Sequence, residues 1–469
     1  MIKTYLVIPF LKYLIRKEAF FILVPLVRAA IKERRNDGSD SIFHSKPDGK
    51  KTILALDSLR YRGDLDALSQ NFRVLHLTQR APGWLIKGFY HEFDIVNYIN
   101  APDGSDKKAQ YIAASNFMTK FLRVFYSKVS VDCVTTVNFR YTEDHHWVKS
   151  SEKNSIPHIM LYREGMVVYY RTEYEVFRRA KRFGKFLGSH IIVHNVKCKN
   201  IFLDAKFASK SKISVAGALR MDSLVSKVNN YHKYKKIKRN KKVTLFYFHP
   251  NTPMFGVDAK GVTPKALLSH GPKKDLSYAF NAWSGRFDLF YDVHEAIAKL
   301  AYKYRDIDFI IKPKDIMVAS PQWKYYDKAI EKSGINVSNL ENYFIEPYAN
   351  VHDLIFSSDV VCAMNSSVVI ESALIGKPVI LPVFKEYRDS KNFEDFHWKD
   401  DLDLFDVADD KHDFERLILQ RLDDDDIPKE VEKGRKELFY TYFDQPKEGA
   451  IDKYTSIIND VVESYKNID

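Results

Sequence analysis

A short polar turn between two apolar runs is the segment whose residue types best suit chemistry. In residues 359–384 an apolar run is followed by Asn365, Ser366 and Ser367, then by a helical pattern and a second apolar run. This order predicts a strand, a turn, a short helix and another strand. Free N–H groups at the start of the helix, with two hydroxyls, suit a phosphate or diphosphate. Glu371, about one turn further on, is in reach of a ribose hydroxyl.

Ser366 can also be an ordinary N-cap, since serine is a preferred residue at that position of any helix. The whole unit, NSSVVIESALIGKPVI, nevertheless resembles the donor-binding unit of GT-B glycosyltransferases that build surface polysaccharides. Capsule synthesis proteins, Kdo transferases and CDP-glycerol transferases share this form, as do the non-hydrolysing UDP-N-acetylglucosamine 2-epimerases. The resemblance implies an enzyme that moves a sugar from a nucleotide-activated donor to a growing surface polysaccharide or lipopolysaccharide.

Three further segments resemble parts of the same enzymes, and they occur in the order that those enzymes have. They are residues 214–224, which resemble the end of the N-terminal domain, and residues 246–251 and 309–315, which resemble loops that face the donor. The resemblance implies that their cationic side chains contact the donor: Arg220, His249, Lys312 and Lys314.

The resemblance also implies a reaction without a metal ion or other cofactor, in which the nucleotide sugar is a substrate. Helix N–H groups and cationic side chains would then stabilise the departing phosphate. One D-x-D spelling, within residues 401–406, lies in an acidic and loop-like stretch. The sequence therefore predicts no metal site.

The acceptor hydroxyl must lose a proton if transfer inverts the anomeric centre, and a carboxylate or histidine with a tuned pKa suits this task. Glu164 follows a predicted strand, where a loop would face the ligand, and is the first candidate. Asp57 ends the first predicted strand in a similar way, and His145 or His146 follows another. Each can instead be a capping or salt-bridged residue, and Arg163 is the predicted ion-pair partner of Glu164.

Composition and charge limit the partners. The chain has 469 residues, of which 45% are hydrophobic, and a net charge of +12, which favours anionic partners. The basic stretch 233–242 has no interleaved aromatic residue beyond Tyr234 and the neighbouring Tyr231, and no nucleic-acid-binding module accompanies it, so nucleic acid is not expected. Cys133, Cys198 and Cys362 are widely separated, which gives no disulfide framework and favours a reducing compartment, the cytoplasm.

The N-terminal segment interleaves apolar residues with bases. Its first 35 residues contain eight basic and two acidic residues, and no uncharged stretch approaches the ~20 residues of a spanning helix. This pattern predicts an amphipathic helix on an anionic membrane surface, at the inner face of the cell membrane. The same pattern also fits a helix packed on the protein's own core.

Short apolar runs alternate with helical patterns along the rest of the chain, which predicts an α/β fold with two tandem Rossmann-like domains and a cleft between them. We predict a membrane-associating segment with its linker at 1–50 and an N-terminal acceptor domain at 51–232. A basic linker at 233–242, a donor domain at 243–440 and a C-terminal helix at 441–469 follow.

Three other functions fit the same features. A CDP-polyol phosphotransferase would use the same donor site, and a 2-epimerase would act on the donor without an acceptor. A catalytically inactive scaffold at the membrane would keep the strand-turn-helix unit for structure alone. Under the main interpretation the partners are a nucleotide sugar, a carbohydrate or lipid-linked glycan acceptor, and an anionic membrane surface.

Overall fold

The structure is a computed structural model of the whole chain. It describes residues 10–43, 49–61, 63–77, 81–86, 88–90, 95–165, 170–230, 240–246, 276–314, 318, 323–389, 393, 396–446 and 449–467. The chain divides into two compact units. The first consists of Met1–Val167, Thr172–Ser226 and Tyr442–Asp469, and the second of Val168–Arg171 and Lys227–Thr441.

Eight strands form the sheet of the first unit: β1 (Ile31–Arg34), β2 (Asp40–Ile42), β3 (Thr52–Ala55), β4 (Arg73–Leu77), β5 (Cys133–Thr136), β6 (His158–Leu161), β7 (His190–Val193) and β8 (Ile213–Val215). Their order is β2-β1-β4-β3-β5-β6-β7-β8. The strands from β3 to β8 pair in parallel, whereas β1 pairs antiparallel with both β2 and β4. All residues of β3, β4, β5 and β6 are buried, as expected for strands covered on both faces.

Six parallel strands form the sheet of the second unit: β9 (Lys241–Phe246), β10 (Ile307–Lys312), β11 (Tyr343–Ile345), β12 (Val360–Cys362), β13 (Val379–Pro382) and β14 (Asp406–Ala408). Their order is β11-β10-β9-β12-β13-β14. The prediction of an α/β chain with two parallel-sheet domains is confirmed.

Helices connect the strands, as in other parallel sheets. Those whose ends are described are α1 (Phe20–Ala29), α2 (Asp64–Leu68), α3 (Ala81–Ile86), α4 (Val96–Ile99), α5 (Asp106–Tyr126), α6 (Thr142–Glu152), α7 (Tyr170–Phe183), α8 (Val196–Asp204), α9 (Asp222–Asn230), α10 (Leu276–Lys303), α11 (Lys324–Ser333), α12 (Val351–Ser357), α13 (Val368–Leu374), α14 (Lys385–Arg388), α15 (Lys411–Asp423), α16 (Lys429–Phe443) and α17 (Ile451–Lys466). Within the described parts of the chain, no helix combines the length and apolar character needed to span a membrane.

The N-terminal segment belongs to the first unit, which differs from the predicted boundary at residue 51. One face of residues 10–29 is buried in the core of this unit, through Leu14, Ile15, Ala19, Leu23, Val24 and Val27. The strand β1 then extends the sheet, with Ile31 opposite Leu77. The sequence IKER does not predict this strand, because Ile31 is the only one of its four residues that is buried.

Three other boundaries differ from the prediction. The short run DIVNYI, whose apolar and aromatic residues predict a strand, contains the helix α4 instead, because a run this short shows too little periodicity to distinguish a strand from a helix. Lys241 and Lys242, assigned to the linker, begin β9. The helix α17 is part of the first unit, because Tyr454, Ile458 and Val462 are buried in its core.

Candidate functional site

The sheet of the second unit has the strand order of a dinucleotide-binding fold, 3-2-1-4-5-6 when its strands are counted from β9. From β9 the chain proceeds through β10 and β11 to one edge of the sheet, and it then returns to β12 on the other side of β9. The loops that follow β9 and β12 therefore run in opposite directions and leave a crevice between them at the carboxyl ends of the strands. Ligands of open α/β sheets bind in this crevice. The turn after β12 contains Asn365, Ser366 and Ser367, so these residues lie at the reversal point.

The turn carries polar groups that have no partner among the described residues. Asn365, Ser366 and Ser367 are all partly exposed. The N–H of Ser366 bonds to the carbonyl of Met364 at 2.8 Å, and the Ser366 hydroxyl accepts weakly from the N–H of Val368 at 3.4 Å. Among the described residues, no hydrogen bond is formed by the N–H groups of Asn365 and Ser367 or by the Ser367 hydroxyl. These three donors are available to a ligand.

A segment distant in sequence fixes the turn. The Asn365 carboxamide oxygen accepts from the N–H of His397 at 3.0 Å, and the indole N–H of Trp398 donates to the carbonyl of Met364 at 3.0 Å. The Trp398 side chain is fully buried. Sequence reasoning missed both residues, since no local pattern connects positions 32 and 34 residues apart.

Glu371 lies on α13 and is 3% exposed. Its carboxylate oxygen lies 3.3 Å from Nε2 of His352, at the start of α12. The imidazole therefore contacts the carboxylate that the sequence assigned to a ribose hydroxyl, and it restricts the orientation of that carboxylate.

The two predicted lysines at the end of β10 differ in their surroundings. Lys312 is buried, and its ammonium donates to the carbonyls of Pro313 and Pro347, both at 2.8 Å. Lys312 thus ties the loop after β10 to the loop after β11, a contact that the sequence does not predict. Lys314 is exposed at the same edge of the sheet. His249 lies outside the described residues.

In the first unit the connections reverse between β3 and β5, and Asp57 lies two residues beyond the end of β3. Its backbone is left-handed, with φ of +60°, which is uncommon for a residue other than glycine. The side chain is buried. Strained backbone conformations of this kind are found most often at functional sites.

Three carboxylates surround Arg60 at the carboxyl edge of this sheet. Its guanidinium lies 2.6 Å from Asp57, 3.1 Å from Glu143 and 3.4 Å from Asp144, and 3.3 Å above the ring of Tyr141. Burial, with Glu143 nearby, raises the pKa of Asp57, and burial raises the pKa of Asp144 well above its usual range. The negative charges exceed the one positive charge, so the cluster favours a bound proton.

Glu164 follows β6 at the same edge and is the accessible carboxylate, with 52% of its side chain exposed. One of its oxygens lies 3.2 Å from Arg140 and 3.5 Å from the amide of Asn138. The predicted pair with Arg163 does not form; Arg163 instead lies 3.0 Å from Asp64.

His145 and His146 lie within α6 and not in a loop. His145 bonds to the Tyr111 hydroxyl at 3.0 Å, and His146 bonds to that of Tyr90. Burial lowers the pKa of His145 to about 3 and also lowers that of His146. Both rings are neutral and weakly basic, so their environment suits packing better than proton abstraction.

Arg220 lies in the turn after β8, within a short 3₁₀ helix, Leu219–Met221. Its guanidinium carbon is 5.5 Å from the centre of the Phe443 ring. In neither unit do three or more His, Cys, Asp or Glu side chains of the described residues converge as metal ligands.

No protein-family model matches the chain, and no curated protein matches it in sequence. Solved structures with similar folds include the wall teichoic acid polymerase TagF, with 14% identity over 92% of each chain and a TM-score of 0.46. The UDP-GlcNAc 2-epimerase of Neisseria meningitidis, bound to UDP-GlcNAc, has 11% identity over 87% of this chain and 100% of its own, with a TM-score of 0.44.

A Listeria monocytogenes protein, provisionally described as a UDP-N-acetylglucosamine 2-epimerase, has 12% identity over 89% of this chain and 98% of its own, with a TM-score of 0.48. The 2-epimerases, one of the classes that the sequence resemblance names, are among these similar structures. The fold described above rests on the topology of the two sheets.

Proposed function

We propose that this protein is a glycosyltransferase that binds a nucleotide-activated sugar on its second unit and transfers the sugar to a surface polysaccharide or lipopolysaccharide acceptor. The turn after β12 is the observation that carries the proposal. Its N–H groups at Asn365 and Ser367 and its Ser367 hydroxyl are without partners among the described residues, at the reversal point of the sheet. Preorganised donors of this kind stabilise a departing phosphate.

Other groups at the carboxyl end of the same sheet support a donor site. Lys314 is an exposed cation beyond β10. Glu371, which His352 contacts, is a carboxylate suited to ribose hydroxyls. Lys312 holds the loop that carries Lys314, and this contact gives it a positioning role in our proposal.

Glu164 is the proposed general base for the acceptor hydroxyl. A base must come within hydrogen-bonding distance of the proton that it removes, and Glu164 is half-exposed, whereas the Asp57 carboxylate is buried beside Arg60. We propose that Asp57, with Arg60, positions the edge of the sheet.

Replacing both Ser366 and Ser367 with alanine tests the donor site. We expect the dissociation constant for the preferred nucleotide to rise about tenfold or more for each hydroxyl that bonds a phosphate, since a bond to a charged group contributes ~1.5–3 kcal/mol. Isothermal titration against CMP, CDP, UDP, GDP and TDP, with EDTA present, measures this change. The exposed Ser338→Ala variant is the control, and equal affinity in the double variant would remove the assignment.

The outer face of residues 10–29 supports a peripheral site on an anionic membrane. It exposes four large apolar residues, Phe10 (56%), Tyr13 (57%), Phe21 (81%) and Leu26 (49%). Four exposed bases are interleaved with them: Lys12, Arg16, Lys17 and Arg28. The apolar side chains would enter the membrane–water interface. Each basic side chain would add about 1 kcal/mol to the free energy of binding to an anionic membrane surface. A membrane location would bring the enzyme to a lipid-linked acceptor.

A double variant, Tyr13→Ser with Phe21→Ser, should bind vesicles containing phosphatidylglycerol about tenfold or more weakly, because burying one aromatic side chain contributes roughly 1.5–3 kcal/mol. Vesicle sedimentation measures the change. Tyr348→Ser is the control, since Tyr348 is 83% exposed but lies in the second unit. Unchanged binding of the double variant, or equal binding to neutral vesicles, would contradict the assigned surface.

A further inference from the structure

The loop that carries Glu164 is anchored through the backbone on both sides of this residue. Before it, the N–H of Arg163 donates to the carbonyl of Val137 at 3.2 Å. After it, the carbonyl of Gly165 accepts from the side-chain amide of Asn195 at 2.9 Å. Because the Glu164 side chain is half-exposed, its position depends strongly on these two backbone neighbours.

Asn195 directly precedes α8, and both ends of its side chain form hydrogen bonds. The carboxamide oxygen accepts from the N–H of Cys198 at 2.9 Å and caps the helix, a common role of asparagine. The amide nitrogen carries two hydrogens, and it donates to the carbonyl of Tyr442 at 2.7 Å as well as to that of Gly165. Asn195 is 5% exposed, so a variant without this amide would leave both carbonyls without their donor.

Tyr442 is the residue at which the chain re-enters the first unit. The second unit extends to Thr441, and the last segment of the first unit begins at Tyr442. The bond from Asn195 to Tyr442 spans 247 residues, and the bond to Gly165 spans 30. Neither donated bond is needed to cap α8, because the carboxamide oxygen alone does that. Their effect is to join the Glu164 loop to the segment that returns from the second unit.

The loop is closely packed where Asn195 holds it. Gly165 is buried, and a Cβ added there would lie only 2.3 Å from Nδ1 of His194, the residue before Asn195. The thiol of Cys198 lies 3.5 Å from the same Gly165 carbonyl. Because close-packed groups transmit displacements, a shift of this carbonyl would reach Glu164, the next residue along the backbone.

We infer that Asn195 is a positioning residue: its amide holds the Glu164 loop on the returning segment at Tyr442 and thereby places the Glu164 carboxylate. A displacement of about 1 Å at a reacting group can lower the rate about 10²-fold, so such a hold would matter for catalysis. The inference rests on the proposed function for the role of Glu164 as the base. The hold of Asn195 on the loop does not depend on that role.

Two variants remove the donated bonds and keep the helix cap. Asn195→Asp preserves the size and the capping oxygen but lacks the amide hydrogens, and Asn195→Ser also caps a helix but is too short to reach both carbonyls. We expect kcat for nucleotide release from the preferred CMP-, UDP-, GDP- or TDP-linked sugar to fall about tenfold to 10²-fold. The dissociation constant for the donor should stay unchanged, because the proposed donor site lies on the second unit.

Asn336→Asp is the matched control. Asn336 caps the short 3₁₀ helix Val337–Asn339 in the second unit by accepting from the N–H of Ser338 at 3.2 Å. In the part of the chain that the structure describes, its amide nitrogen donates no hydrogen bond. This variant therefore makes the same chemical change at a cap without breaking a donated bond, and we expect wild-type kcat from it.

The same substitution in the Glu164→Gln protein separates positioning from a general structural role. If Asn195 acts through Glu164, Asn195→Asp should lower the residual kcat of Glu164→Gln by less than about twofold, because the group that it positions is already lost. An equal loss of kcat in the two backgrounds would overturn the inference. The proposed function would remain intact in that case, provided that the wild type releases nucleotide and Glu164→Gln does not.

Hydrogen exchange of the full-length protein tests the hold itself, without any substrate. Peptides covering residues 161–165 should exchange at least tenfold faster in both Asn195 variants than in the wild type. The Cys198 amide, which the cap still protects, should exchange as in the wild type. Unchanged exchange of residues 161–165 would overturn the inference whatever the activity. A wild type that releases no nucleotide would contradict the proposed function, while faster exchange would still uphold the hold of Asn195 on the loop.

Discussion

Glu164→Gln is expected to lower kcat by about 10²–10⁴-fold, the usual contribution of a general base, with little change in donor affinity. The substitution keeps the size and the hydrogen bonds of the side chain but removes its ability to accept a proton. Because 52% of the side chain is exposed, the free energy of unfolding should change by less than about 0.5 kcal/mol. Steady-state kinetics with the preferred donor, and denaturant unfolding of the same variant, measure both effects.

Asp57→Asn is the comparison variant. Asparagine also tolerates a left-handed backbone, so the fold should persist, while the buried carboxylate beside Arg60 is lost. If Asp57 only positions the sheet edge, its variant should keep more activity than Glu164→Gln. A larger loss of kcat in Asp57→Asn, with Glu164→Gln near the wild type, would transfer the role of base to Asp57.

Acidification should destabilise the first unit through its buried histidines. His158, fully buried in β6 and bonded to the Thr136 hydroxyl at 2.9 Å, has its pKa lowered by burial from 6.5 to about 3. The unfolded chain binds this proton below about pH 6.5 whereas the folded chain does not, so stability is complete above 6.5 and falls as the pH drops towards 3. Between pH 7 and about pH 5 this one residue should remove ~2 kcal/mol. His145 adds a contribution of the same sign.

The effect of His158 is isolated by a pair of variants, because the raised pKa values of Asp57 and Asp144 act in the opposite direction as the pH falls. Urea unfolding at the two pH values should show that His158→Gln loses ~2 kcal/mol less than the wild type on acidification. His412→Gln, at an exposed position, should behave as the wild type does. An identical pH dependence in all three proteins would contradict the assigned burial of a neutral His158.

The sequence carried enough information for the central strands of both sheets and for the turn after β12. Short runs of apolar and β-branched residues, such as those of β3 and β5, predict strands, and both faces of these strands are buried. The polar turn at Asn365 was visible because it interrupts such a run. Edge strands were not visible: β2 has no fully buried residue, and its position depends on its pairing with β1.

The partners of the site residues could not be predicted, since they come from distant parts of the chain. Arg60 meets carboxylates more than 80 residues away, and Trp398 holds a turn 34 residues before it. Lys312, by contrast, was visible as a cation at a strand end, but its use on two loop carbonyls was not.

The most direct test of the central claim is to incubate the purified protein, with EDTA, with CMP-, UDP-, GDP- and TDP-linked sugars and CDP-glycerol, and to follow the nucleotides by ³¹P NMR. Release of a free nucleotide from one of the sugar donors, abolished in Glu164→Gln and accelerated by an acceptor glycan, is the result we predict. Release from CDP-glycerol alone would make the protein a polyol phosphotransferase, and epimerised UDP-sugar without release would make it an epimerase. A protein that neither binds nor converts any donor would contradict the assignment as an enzyme.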